Sequence, residues 1–164
     1  MSTFKSSGGK GVDLCLSWVN AANGEIPAGA VSIGGDVFVA RCFSDGELLP
    51  GKVAAGHNSC YAPYDGEEKC CDTYQVLCET CNHGLTGGPG FEWVAWSGNT
   101  APKHALISGS DQGRPLYVAK ANIDGEWCAG KYIPDYGKAY FSCGGAEHEK
   151  EDDFEVLVMC TRSG

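Results

Sequence analysis

The chain has 164 residues, 21 acidic against 12 basic side chains and a formal charge of −9. That balance excludes nucleic acid and anionic membrane as principal partners, because both need clustered lysine and arginine. No apolar run approaches the roughly 18 residues of a spanning helix, so no transmembrane segment is expected.

Residues 1–15 open as MSTFKSSGGKG, lack the apolar core of a signal peptide and read as a flexible arm. The expected location is therefore the cytoplasm, with any release by a non-classical route. Residues 16–81 and 91–164 are two copies of one unit, joined by a Gly-rich linker over 82–90 (NHGLTGGPG). Trp18-Val19 recurs as Trp93-Val94, and Pro27, Ala30, Gly34 and Asp36 recur as Pro102, Ala105, Gly109 and Asp111. Next, VFVAR (37–41) meets LYVAK (116–120), so the second copy carries four extra residues near Gln112-Gly113-Arg114-Pro115. DGE (45–47) returns at 124–126, PGK (50–52) as AGK (129–131), Tyr61 as Tyr140, GEEK (66–69) as GAEH (145–148), and YQVL (74–77) as FEVL (154–157).

Each copy reads as strand and turn. VFVARC, LYVAKA, YQVLCE and FEVLVM are rich in strand formers, and Gly, Pro, Asn and Asp punctuate the sequence at short intervals. Twenty-four glycines leave no room for long helices. The expected fold class is all-β, an antiparallel sandwich or barrel-like assembly of the two repeats. A unit of about 70 residues is marginal alone, so a core shared by both copies is expected.

The ordered set of Trp-Val, a later Gly and Asp, Val-Ala-Arg/Lys, Gly-Glu, Gly-Lys and Tyr/Phe-x-Val-Leu resembles the DM9 repeat, over residues 16–79 and again over 91–160. The resemblance implies a tandem antiparallel β-protein and a lectin that recognises mannose and mannose-containing glycans in microbial recognition and agglutination. It also implies that sugar is held by an Asp after the Trp-Val strand and by the Lys of the Gly-Lys motif. Here those are Asp36 with Lys52, and Asp111 with Lys131. A carboxylate accepts from sugar hydroxyls and an ammonium donates to them. Glu47 and Glu126 lie in the same stretch and are candidates to orient the Lys or accept from sugar. Gly51 and Gly130 are expected to turn the backbone beside the ligand. Tyr61, Tyr64, Trp127, Tyr136 and Tyr140 fall near these loops and suit stacking on a sugar face or core packing. The Asp–Lys separation differs between copies, so the two sites, one per repeat, are expected to be unequal.

The ten cysteines do not recur between copies and are expected to be reduced, buried, small hydrophobic residues. Cys78-x-x-Cys81, with Cys70, Cys71 and His83 nearby, is the best metal or redox candidate, but no metal or cofactor is assigned. No H-E-x-x-H, G-x-S-x-G or Walker pattern occurs, so no catalytic residue is assigned and the chain reads as a non-enzyme. Two further readings stand beside the lectin: a cytosolic protein- or lipid-interaction module without sugar binding, and a thiol redox or zinc-binding protein. A homodimer of the lectin would present four sites.

Overall fold

The structure, a computed structural model, describes residues 15–80 and 90–160. The arm through residue 14, the linker through residue 89, Cys81, His83 and residues 161–164 lie outside the described residues.

The described residues of the first copy form β1 (Leu16–Ala22), β2 (Ser32–Gly34), β3 (Val37–Ser44), β4 (Glu47–Ala54), β5 (Cys60–Tyr64), β6 (Glu67–Cys71) and β7 (Thr73–Glu79). The second repeats the order as β8 (Phe91–Trp96), β9 (Ile107–Asp111), β10 (Arg114–Ile123), β11 (Glu126–Ile133), β12 (Lys138–Cys143), β13 (Ala146–Lys150) and β14 (Phe154–Met159). One short 3-10 turn spans Pro134–Tyr136. Every pairing is antiparallel. The two Asp-Gly pairs make the β3–β4 and β10–β11 hairpins. Asp45 and Gly46, like Asp124 and Gly125, all have positive φ, which gives a tight turn whose twist matches that of the strands.

The duplication reaches down to single hydrogen bonds. Ala30 N–H donates to the Pro27 carbonyl, and Ala105 N–H to that of Pro102. Val31 N–H donates to the Leu77 carbonyl, and Leu106 N–H to that of Leu157. Trp18 lies opposite Leu77, as Trp93 lies opposite Leu157.

Neither copy closes by itself. Eight strands form a ring in the order β4-β5-β6-β13-β12-β11-β10-β9, and β9 pairs back onto β4. Both seams between copies are short: Glu67 opposite Ala146, and Leu48 opposite Ser110. The remaining strands flank this barrel, with β1, β7, β3 and β2 on one side and β14 and β8 on the other.

The core follows the same plan. One buried cluster belongs mainly to the first copy, including Leu49, Val53 and Val76. A second belongs to the second copy, including Tyr132, Phe141 and Val156. A third lies between them and draws matched residues from both: Val39 with Val118, and Leu77 with Leu157. The shared core expected for such small units is thus this middle cluster.

Here the four extra residues of the second copy take effect. They lengthen β9 and β10 to 5 and 10 residues, against 3 and 8 in β2 and β3. The longer hairpin reaches β4 and closes the ring, whereas β2 pairs only with β3.

Candidate functional site

Lys52 and Lys131 occupy matching places in mid-strand, opposite Tyr61 and Tyr140. The expected turn at Gly51 and Gly130 is absent, because both glycines lie inside β4 and β11. Their role is close approach. A Cβ on Gly51 would stand 2.1 Å from the Tyr61 carbonyl oxygen, and one on Gly130 would stand 1.9 Å from that of Tyr140. Missing side chains let β5 and β12 press against β4 and β11, which sets each Lys against a tyrosine.

A cavity of about 360 Å³ opens beside Lys131. β9 and β10 contribute Asp111 and Arg114, β11 contributes Lys131, and β12 with the turn before it contributes Tyr140 and Tyr136. The first copy contributes Tyr64, Asp65 and Gly66 from the β5–β6 turn, and β13 adds Glu147. Asp111 is 7% exposed and Lys131 only 3%. One Asp111 oxygen, Oδ2, takes an ion pair from Arg114 at 3.5 Å. Its other oxygen, Oδ1, is buried without a hydrogen-bond partner, as is Arg114 Nε. The Arg114 guanidinium donates to the Tyr136 hydroxyl and lies over the Tyr136 ring.

The Lys131 ammonium stands 5.1 Å from the Tyr64 ring centre and 5.8 Å from that of Tyr140. Among the described residues it makes no hydrogen bond or ion pair. Burial lowers its pKa, while the charges of Glu147 and Asp111 act to raise it. Burial also raises the Glu147 pKa, against the Gly66 N–H that donates to its Oε1 at 3.0 Å. Glu47 approaches from the other copy, its Oε2 accepting the Gln112 N–H at 3.0 Å.

A second cavity of about 350 Å³ has the same plan with the copies exchanged. It is lined by Lys52, Ala54, His57, Tyr61 and Glu68 of the first copy, with Glu126, Trp127, Gly144 and Gly145 of the second. Lys52, His57, Tyr61 and Glu68 take the places of Lys131, Tyr136, Tyr140 and Glu147. Asp36 is exposed on the β2–β3 turn and does not line this cavity; only its neighbour Val37 does. Lys52 instead donates to Cys128 Sγ at 3.7 Å, and Glu126 Oε2 accepts from Cys143 Sγ at 2.9 Å.

Of the residue pairs expected from the sequence, Asp111 and Lys131 share a cavity, and Asp36 and Lys52 do not. Glu126 joins the cavity of Lys52, and Glu47 reaches the rim of the other cavity through the Gln112 N–H, so each Glu lies beside the cavity of the other copy's Lys. The expectation of one site within each repeat is corrected accordingly: both copies wall both cavities. All five aromatic candidates line one cavity or the other. Sequence reasoning missed Arg114, Asp65 and Glu147. Glu147 was accessible to it, because its counterpart Glu68 is also acidic.

The cysteines need two corrections. Cys15 is disulfide-bonded, not a free thiol. Cys70 is exposed and Cys71 and Cys160 are half-buried, while Cys42, Cys60, Cys78, Cys128 and Cys143 are buried as expected. Cys78 lies within β7, and no cluster of three metal-ligating side chains occurs among the described residues.

Fold and site together define a two-repeat, all-antiparallel β-barrel protein with a lysine-centred cavity at each junction between the repeats. It is a member of the DM9 repeat family, which matches residues 34–150 and again 110–163. No curated protein is similar enough to count as a relative. Among solved structures, the nematode sperm cell motility protein MFP2B shares the fold at a TM-score of 0.69 and 20% identity. The match covers 90% of this chain and 45% of that one, so the chain spans about half the length of the motility protein.

Proposed function

We propose that the protein is a lectin that acts by binding, without chemistry, and takes mannose or mannose-containing glycans in the Asp111–Lys131 cavity. The observation that carries this reading is two opposite charges at one wall of the cavity: Asp111, whose buried Oδ1 has no donor, and Lys131, whose ammonium makes no hydrogen bond or ion pair among the described residues. A buried polar group without a partner costs about 1–3 kcal/mol, so such groups in a native fold call for an explanation. A sugar with neighbouring hydroxyls supplies it, one hydroxyl donating to Asp111 and the next accepting from Lys131. Tyr64, Tyr136 and Tyr140 offer faces for the sugar's C–H surface. The volume suits one hexose and the cavity is open to a longer glycan.

In this reading the Lys52 cavity is the weaker site, because it has a Lys and two Glu but lacks the Asp. Single contacts of this kind are weak, and useful avidity comes from several sites on one glycan surface.

A glycan array of the wild type beside Asp111→Ala and Lys131→Ala tests the reading. Signals on mannose-terminated glycans that vanish in both variants are expected. A wild type silent on every mannose-containing glycan would overturn it, and the interaction-module reading would then stand if a protein or lipid partner, not displaced by sugar, is found.

A further inference from the structure

Two cysteines beside the second cavity, each bonded to a residue that lines it, are placed as a pair. Gly130 of β11 lies opposite Phe141 of β12. Continued by two residues, that register brings Cys128 opposite Cys143, and both thiols donate to Glu126, Cys128 to its carbonyl at 3.8 Å and Cys143 to its Oε2 at 2.9 Å. Directly opposed residues on antiparallel strands have Cα atoms about 4.5–5.5 Å apart, inside the window of about 4.4–6.8 Å that a disulfide needs. In the matching place the first copy has Leu49 and Tyr64, so the other cavity has no such pair. The pair also holds two of the cavity's three charged groups, Lys52 and Glu126, and leaves Glu68 aside. Lys52 Nζ donates to Cys128 Sγ, and Cys143 Sγ donates to Glu126 Oε2. As long as the thiols are reduced, the Lys and Glu that would meet a ligand are turned to sulfur.

We infer that Cys128 and Cys143 form a reversible cross-strand disulfide that gates the second cavity, freeing Glu126 and Lys52 for ligand when it closes. The oxidant is a peroxide. One thiolate attacks hydrogen peroxide, the O–O bond breaks, and hydroxide leaves with formation of a sulfenic acid. The second thiol attacks that sulfur, an S–S bond forms and water leaves. In sum, two thiols and one peroxide give one disulfide and two waters. Glu126 Oε2 is placed to take the Cys143 proton. A dithiol reductant reverses the change. Burial and the Glu126 carboxylate push the Cys143 thiol up to about 12, so the reaction at neutral pH is slow and needs excess peroxide. The disulfide itself is independent of the sugar reading, whereas its effect on ligand rests on that reading.

Two measurements on the full chain test this. After peroxide treatment, alkylation and digestion without reduction, mass spectrometry should find the Cys128 and Cys143 peptides linked to each other. Recovery of both as alkylated thiols, or their linkage to other cysteines such as the adjacent group Cys42, Cys60 and Cys71, overturns the inference. In a Lys131→Ala background, which silences the first cavity, oxidised protein should bind immobilised mannose about ten-fold more tightly than reduced protein. Cys143→Ser, which keeps a donor to Glu126, should erase that difference. A mapped linkage with unchanged binding overturns the gating. Absence of mannose binding by the wild type in either redox state overturns the sugar reading and leaves the mapped disulfide standing.

Discussion

The two cavities share a scaffold and differ in what the scaffold presents. Both place a mid-strand Lys against a Tyr, both owe that contact to a glycine that a strand crosses, and both carry an acid from the following hairpin. Only one contains a buried Asp. The cause is the four extra residues of the second copy, on a hairpin that carries neither Lys. The lengthened β9–β10 hairpin pairs with β4, and this buries Asp111 and brings in Arg114. The short β2–β3 hairpin stops earlier, with Gly34 against the Trp127 side chain, and leaves Asp36 in solvent. A duplicated site can thus diverge through strand length while its central residues stay the same.

The strongest way to break this contrast is to remove its cause. Deletion of residues 112–115 should lower sugar affinity at the first cavity about 100-fold, toward that of the second, with the far-UV circular dichroism of a β-protein retained. Calorimetric titration reads the affinity. Asp111→Ala should have the next largest effect, about 30-fold, as expected for loss of a charge-assisted hydrogen bond. Asp36→Ala should change affinity little.

Other changes should treat the cavities alike. Gly51→Ala and Gly130→Ala each push a methyl group into a backbone carbonyl, and each should cost about 1–3 kcal/mol in chemical denaturation. Unequal costs would show that the two scaffolds are less alike than their geometry.

Lys131→Met should separate binding from stability. Sugar binding is lost, yet the melting temperature should rise by about 3–6 °C, because a desolvated cation gives way to a well-packed apolar chain. Lys52→Met, at a half-buried position, should raise it less. The smallest effect is in the pH dependence. Burial lowers the Lys131 pKa from its ordinary 10.5, so between the two values the unfolded chain binds the extra proton. Stability from this group therefore rises with pH across that window. The melting gap between wild type and Lys131→Met should narrow as the buffer moves from about pH 7 toward 10.

Much of this was legible in the sequence. The repeat and the strands follow from ordered matches and from strand-forming residues, and the resemblance to the DM9 repeat pointed to Asp111 and Lys131, which share a cavity. What was not legible depends on contacts between the copies. The ring closes through Glu67 opposite Ala146 and Leu48 opposite Ser110, seams too short to leave a periodic pattern. Without them Glu47 and Glu126 cannot be assigned to the opposite cavity. Gly51 and Gly130 were misread because glycine signals a turn as readily as a close crossing, and only the crossing strand decides between them. The paired placement of Cys128 and Cys143 around Glu126 escaped because comparison of the copies discards any residue that one copy lacks.

The central claim is that the four extra residues of the second copy make the Asp111–Lys131 cavity the sugar site. A crystal of the reduced protein soaked in mannose tests it most directly. The account predicts one ordered sugar, with hydroxyls on Asp111 Oδ1 and Lys131 Nζ, and lower occupancy or none beside Lys52. A sugar ordered beside Lys52 with the Asp111 cavity empty would contradict it.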